Sequence, residues 1–248
     1  MTAPENDDGV GDDEVINAPP VWYWDFTDSD EGRKSVKARV WADSWQALSI
    51  DDKLRIGTLI REHYSEFPGS QEPDCIFINT HHPVSRSFPD LAVMNGAALF
   101  VSGALIDLLS QFNLGPSPMI ELPFFDQKNI SPYGDRAPDL RPDRDKPIPG
   151  RWGMLHVLAR KSAFVPEQAR YFRGPCRSTF DGTQEWRLDP GENFVVALKA
   201  ATVCKGVDIW RDPRLPNFMF FSDRLITAIG ASGLRMPAFA DLGEAKLV

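Results

Sequence analysis

The stretch PNFMFFSDRLITAIGASGL, residues 216–234, indicates a short buried strand that leads directly into an amphipathic helix. The apolar run 218–221 ends at Ser222, and Leu225 and Ile229 after it share one helical face. A serine in front of such a face is a common N-cap, because its hydroxyl accepts a free backbone N–H of the first turn. The sequence therefore predicts that a helix begins just after Ser222.

The same pattern occurs earlier in the chain, at LFVSGALIDLLSQFNL, residues 99–114. The two stretches align without a gap at a constant spacing, so that residue 102 falls on residue 222. Five positions match in that register, namely Phe100 with Phe220, Ser102 with Ser222, Leu105 with Leu225, Ile106 with Ile226 and Leu114 with Leu234. This agreement predicts a repeated strand–Ser–helix unit with Ser102 and Ser222 as the two N-caps. A nucleophilic role for Ser222 is disfavoured, because no G-x-S-x-G elbow surrounds it.

The charge of the chain is concentrated at its N-terminal end. The 248 residues carry a net charge of -8, and ten of the 35 acids lie in residues 1–32, where none of the 27 bases occurs. The remaining 25 acids and 27 bases nearly balance. A nearly neutral body argues against a general nucleic-acid binder.

The cysteines and the hydropathy pattern indicate a reducing compartment. The three cysteines, Cys75, Cys176 and Cys204, are far apart and form no C-x-x-C, so neither a disulfide framework nor a zinc knuckle is predicted. No apolar run approaches the roughly 18 residues that a membrane helix needs. We expect a cytoplasmic bacterial protein with no membrane segment, no metal and no cofactor.

The pattern along the chain predicts an acidic tail followed by one α+β domain. Residues 1–20 are polar, acidic and closed by two prolines, so we expect disorder there. Strands and helices in 21–248 alternate without regular β-α-β spacing, which favours α+β with a mixed or antiparallel sheet and packed helices. We expect this single compact domain to have two lobes, about 21–115 and about 116–248.

Several elements are predicted individually. Strand 21–26 is expected to pair with strand 35–41 across a turn-like segment, and Ser49 is expected to begin a helix that runs to about Phe67. Segment 130–150 holds five prolines between 132 and 149, so we expect a long surface loop without regular secondary structure. Further strands are predicted at 75–79, 119–125, 152–159, 194–203 and 207–210.

Two stretches resemble a family of bacterial immunity proteins: PDLAVMNGAALFVSGALIDLL (89–109) and DIWRDPRLPNFMFFSDRLITAIGASGL (208–234). This is the eleventh numbered immunity family of polymorphic toxin systems, first catalogued as a domain of unknown function. The resemblance follows the order of elements over about 75–248 and is tight over the last thirty or so residues. There it rests on Asp208, Trp210, Arg211, Phe221, Ser222, Asp223, Arg224, Leu225, Gly233 and Leu234. The first half departs from the family pattern, with Gly103-Ala104 where a charged pair is usual and with a long proline segment.

The resemblance implies a protein that binds and blocks a cognate toxin domain encoded nearby, without catalysis. No functional residue is carried over from the family to a position of this chain. The alternative from the residues is a small hydrolase that uses His81, His82 and a carboxylate such as Asp90. Adjacent histidines in an extended segment point to opposite sides, so they do not easily share a metal.

Candidate partner-binding residues follow from charge and aromatic content. In VWYWDF we expect Trp22 and Trp24 to face the core, which leaves Tyr23 exposed as a contact residue. The acidic N-terminal end and the proline segment supply the other candidates, on the expectation that they lie near the toxin interface. The full set is Tyr23, Asp25, Asp28, Asp30, Glu31, Asp135, Asp139 and Asp143.

Overall fold

The computed structural model describes residues 18–25, 38–49, 51–52, 55–56, 72–78, 88–93, 98–127, 142–177, 184–189, 194–236 and 242–248. The α-helices whose first and last residues both lie within these ranges are α1 (Gly103–Leu109), α2 (Ala200–Val203) and α3 (Asp223–Ala231). The strands are β1 (Val21–Asp25), β2 (Ala38–Trp41), β3 (Cys75–Ile78), β4 (Leu91–Val93), β5 (Ala98–Ser102), β6 (Met119–Glu121), β7 (Phe124–Gln127), β8 (Pro142–Pro147), β9 (Trp152–His156), β10 (Phe172–Arg177), β11 (Gln184–Leu188), β12 (Ala197–Leu198), β13 (Ile209–Trp210), β14 (Phe218–Ser222), β15 (Gly243–Glu244) and β16 (Lys246–Leu247). The chain is therefore mixed α+β and mostly sheet, which confirms the predicted class. Among the described helices, none is both long and apolar enough to cross a membrane.

Two four-stranded sheets have matching strand orders. The central sheet runs β4-β5-β9-β6 and the C-terminal sheet runs β13-β14-β1-β15, and every pair within them is antiparallel. Their registers also correspond, since Ser102 lies opposite Trp152 in the central sheet and Ser222 lies opposite Val21 in the C-terminal sheet. The N-terminal strand β1 therefore takes the place in one sheet that β9 takes in the other.

Each of the two sheets carries one strand that leads into a helix. The Oγ of Ser102 accepts a hydrogen bond from Leu105 N at 3.3 Å, and the Oγ of Ser222 accepts one from Leu225 N at 3.3 Å. Both serines are N-caps with extended backbone, as the spacing of the two stretches predicted.

The two helical units are joined by reciprocal hydrogen bonds. Asn113, just after α1, donates its N–H to the Asp208 carboxylate at 2.8 Å. Arg235, just after α3, donates its N–H to the Asp90 carboxylate at 2.8 Å. Asp90 and Asp208 each precede the first strand of a hairpin, and their carbonyl oxygens accept the N–H groups of Ser102 and Ser222, each at 2.9 Å. The end of each helix is thereby fixed to the hairpin of the other unit.

The buried faces of α1 and α3 meet in one core. Leu105 and Leu109 of α1, and Leu225 and Ile229 of α3, belong to one buried cluster with residues of the central and C-terminal sheets. Full burial of such an aliphatic side chain stabilises the folded state by about 1.5–3 kcal/mol. The interface between the two units is therefore a main part of the core.

A third sheet runs β2-β3-β7-β8 and covers a separate cluster. Its β3–β7 pair is parallel, whereas the other two pairs are antiparallel. The strand predicted at 119–125 is in fact two strands, β6 in the central sheet and β7 in the third sheet. The chain changes sheets between Glu121 and Phe124, around Pro123, which has no N–H for a ladder.

The pairing of the N-terminal strand corrects the sequence analysis. β1 does not pair with β2, because β1 lies between β14 and β15 whereas β2 pairs with β3. Two pairings cross the expected division at residue 115, since β5 pairs with β9 and β1 pairs with β14. Tertiary burial decides these pairings, and the turn-like spacing of the sequence does not.

Two further segments differ from expectation. Within 130–150, residues 142–147 form the edge strand β8, with prolines at both ends, where a missing N–H costs no ladder bond. Run 194–203 contains only the two-residue strand β12 and then α2, which begins with the helix-favouring pair Ala200 and Ala201. The expectation of a loop throughout the first segment, and of a continuous strand in the second, was therefore wrong.

Other predictions fall largely on residues that are not described. The tail 1–17 lies outside the described residues, as does most of the helix expected from Ser49 to Phe67. At the start of that helix, Asp52 N donates to Ser49 Oγ at 3.1 Å, and residues 51–52 are helical. The described part of the helix is therefore consistent with a serine cap.

Candidate functional site

The residues that carry the family resemblance converge on one carboxylate. Asp208 is 2% exposed, just before β13. Its carboxylate accepts hydrogen bonds from Ser222 Oγ at 2.6 Å and from Nε and Nη2 of Arg224, which lie on one edge of the guanidinium. With the N–H of Asn113 at 2.8 Å, the carboxylate accepts four hydrogen bonds from the described residues, two on each oxygen.

The protonation of Asp208 follows from these bonds. Burial raises its pKa, but the hydrogen bonds from Arg224, Ser222 and the Asn113 N–H lower it more, so its pKa lies below the usual range. Asp208 is therefore ionised at neutral pH. An ionised carboxylate with all its bonds made within the chain holds structure together and is a poor proton donor.

A second buried carboxylate organises the turn before β14. Asp212 is 1% exposed and accepts the N–H groups of Ala163 and Phe164, each at 2.7 Å. Arg214 donates its backbone N–H and its guanidinium to the same carboxylate. Arginine and aspartate therefore pair around Pro213 and stabilise this turn.

Lys161 closes the loop after α2. Its ammonium donates to the carbonyl oxygens of Val203 at 3.1 Å, Lys205 at 2.8 Å and Val207 at 3.3 Å. It also lies 3.9 Å from the centre of the Trp210 ring, a cation–π contact. Burial lowers the pKa of Lys161, while the nearby Asp208 charge raises it in part. Three carbonyl oxygens and one aromatic ring thus engage the ammonium, which indicates a structural role.

Two of the predicted partner-binding residues are buried. Tyr23 is 7% exposed, and its ring packs against Phe194 and Phe218, so the expectation that it is exposed was wrong. Both faces of the C-terminal sheet are covered, and Gly243 opposite Tyr23 leaves the space that the ring occupies. Asp143 is 7% exposed and lies 3.3 Å from the Lys146 ammonium, so it does not present a free charge either. Trp24 is buried as expected, whereas Trp22 is only partly buried and donates to Asp223 at 3.0 Å.

Of the remaining partner candidates, only Asp25 lies within the described residues. Asp25 is the last residue of β1, opposite Phe218. Asp28, Asp30, Glu31, Asp135 and Asp139 lie outside the described residues, and they stay predictions.

The alternative hydrolase residues are only partly described. His81 and His82 lie outside the described ranges. Asp90 is described, and its carboxylate accepts the Arg235 N–H. Over the described ranges, no group of three or more His, Cys, Asp or Glu residues is placed to hold a metal ion.

One surface feature was not predicted from the sequence. β10 and β11 form a two-stranded antiparallel hairpin that joins no larger sheet within the described part of the chain. No strand was predicted here, because Gly174 and Pro175 interrupt the alternation that would mark one. Tyr171 lies immediately before β10 and is 53% exposed. All other large hydrophobic side chains whose burial is described are less exposed.

Comparison of the chain with protein-family models and with curated proteins finds no match.

Proposed function

We propose that this protein is an immunity protein, which binds a cognate secreted toxin domain encoded nearby and neutralises it by occlusion, without catalysis. The observation that carries the proposal is the convergence on Asp208 of residues that the resemblance singles out. Ser222 and Arg224 bond its carboxylate directly, although they lie 14 and 16 residues further along the chain.

The neighbours of this network belong to the same motif. Asp223 accepts the indole N–H of Trp22, and Trp210 is fully buried beneath the Lys161 ammonium. These motif residues bond and pack with one another and so form a rigid scaffold. In a binding protein such a scaffold positions the surface segments that contact the partner. This arrangement supports the resemblance and, through it, the binding function.

We also propose that the fold consists of two lobes built on copies of one unit. One lobe is the central sheet with α1, and the other is the C-terminal sheet with α3. The matching strand orders, the serine caps and the reciprocal bonds of Asp90 and Asp208 support this arrangement. The N-terminal strand completes the second lobe, so both ends of the chain are needed for one sheet.

For a toxin that acts inside cells, the protein would act in the bacterial cytoplasm. Co-expression tests the proposal. The chain is produced in a host together with the variable C-terminal domain of the large secreted protein encoded by the neighbouring gene. We expect this domain to stop growth alone and to permit growth when the chain is present.

Two controls make the result specific. An Asp208→Asn/Arg224→Gln variant tests whether rescue needs the intact fold, and an unrelated immunity-sized protein tests whether expression load alone slows the toxin. A host that dies equally with and without the chain contradicts the proposed function, as does a neighbouring gene product that is harmless by itself.

A further inference from the structure

The β10–β11 hairpin has one face on the core and one face in solvent. Phe172 and Trp186 pack their rings on Phe164, with centroid distances of 5.1 and 5.8 Å. The N–H of Trp186 also donates to the Arg214 carbonyl at 2.7 Å. The hairpin is therefore held rigidly from its inner side, and its outer side is free to meet a partner.

Tyr171, immediately before β10, has a backbone that an aromatic residue rarely adopts. Its φ is 62°, in the left-handed region that favours glycine or asparagine. Every other residue with positive φ in the described ranges is a glycine. Its carbonyl accepts the Asp189 N–H at 2.7 Å, which holds the turn in this shape. Its side chain is 53% exposed, so burial of the ring does not compensate for the strain. A strained residue whose side chain is exposed is a candidate for function.

The outer face beside Tyr171 is rich in arginine. Arg173 lies directly opposite Arg187 across the ladder, with side chains 74% and 66% exposed. Like charges in directly opposed positions destabilise a sheet. Asp189 lies 2.8 Å from Arg173, but Glu185 is 3.8 Å from Arg187, so the second arginine is weakly paired.

The described strands of the hairpin are basic on an acidic protein. The described residues 170–177 and 184–189 hold four arginines, all exposed, against two carboxylates that are both half-buried. The chain as a whole has a net charge of -8. This local excess of positive charge is complementary to a carboxylate-bearing surface, and tyrosine and arginine are the residues that most often dominate binding energy at interfaces.

We infer that the outer face of the β10–β11 hairpin is the surface that docks an acidic patch of the toxin domain, with Tyr171, Arg173 and Arg187 as its anchors. This inference rests on the proposed function, because the partner it names is the toxin. The tyrosine ring supplies rigid apolar contact, and the two arginines share the carboxylates of the partner. Binding thereby relieves the repulsion between the opposed arginines.

The test uses the full chain and the purified toxin domain of the neighbouring gene, with binding measured by calorimetry at two salt concentrations. Tyr171→Gly removes the ring and also relieves the backbone strain, so we expect an almost unchanged melting temperature and a binding loss of about thirtyfold. Arg173→Gln/Arg187→Gln should weaken binding by at least about tenfold and reduce its salt dependence. Lys205→Gln, at an exposed lysine in the turn after α2, is the matched control and should bind like the wild type.

The outcomes separate the inference from the proposed function. If the wild-type protein and both hairpin variants bind with equal affinity, the docking surface is wrong while the immunity function stands. If the wild-type protein does not bind the toxin domain, the proposed function fails and this inference fails with it. A hairpin-dependent dimer of the chain alone, seen by sedimentation, would assign the face to a second copy and would also overturn the inference.

Discussion

Substitution of Asp208 by Asn tests whether the reciprocal bonds between the two units hold the fold together. The amide keeps the shape of the side chain but loses its charge, and its NH₂ then faces a donor. The carboxylate of Asp208 accepts from Ser222, Arg224 and the Asn113 N–H, so at least one of these bonds must break. Asp90 offers a matched control, because it precedes β4 as Asp208 precedes β13, and its carboxylate accepts the Arg235 N–H.

The expected magnitudes differ because the two environments differ. A hydrogen bond to a charged group contributes about 1.5–3 kcal/mol. The Arg224 side chain is 64% exposed, so water weakens its ion pair with Asp208. We therefore expect Asp208→Asn to cost about 2–3 kcal/mol of unfolding free energy. Asp90 is half-buried, and among the described residues its carboxylate accepts one backbone N–H, that of Arg235, so Asp90→Asn should cost about 1 kcal/mol or less.

Chemical denaturation at pH 7 and at several lower pH values is the assay. The pKa of Asp208 is lowered in the folded state, so its stabilisation is present above the ordinary Asp pKa of about 3.9 and is lost as the pH falls through the folded pKa. The difference between the wild type and Asp208→Asn should therefore shrink in acid. Equal costs for the two substitutions, or a difference that does not change with pH, would refute the reasoning.

Further predictions concern the caps and the N-terminal end. Ser102→Ala should cost about 1 kcal/mol in denaturation, the usual value for a lost N-cap, and Ser222→Ala should cost more because Ser222 Oγ also donates to Asp208; equal costs would contradict this. Deletion of residues 1–20 should leave the melting temperature nearly unchanged, whereas deletion through residue 25 removes β1 from the middle of its sheet and should prevent folding. If the toxin is cationic, stopped-flow association should be slower for the shorter deletion at low salt, and the difference should vanish at high salt.

The sequence predicted well what depends on neighbours along the chain. The caps Ser102 and Ser222 are local features, since each serine caps the helix that begins at the next residue. Such features need only the residues of one short window.

The parts that the sequence did not predict depend on distant partners. The place of β1 between β14 and β15 joins the first described strand to the last part of the chain, and no local pattern specifies such a pairing. Tyr23 was expected at the surface because alternation implies one solvent face, but both faces of that sheet are covered. The strain at Tyr171 is a backbone property of one residue, which composition and periodicity do not report.

Stoichiometric titration of the purified toxin domain is the most direct test of the account. A fixed amount of active toxin is mixed with increasing amounts of the full chain, and the remaining toxin activity is measured at several times. Occlusion predicts that activity falls in proportion to added protein, reaches its minimum at about one equivalent for tight binding, and does not change with time. Undiminished activity at several equivalents would contradict the account, and so would a loss that continues with time at a small fraction of one equivalent, as an enzyme would produce.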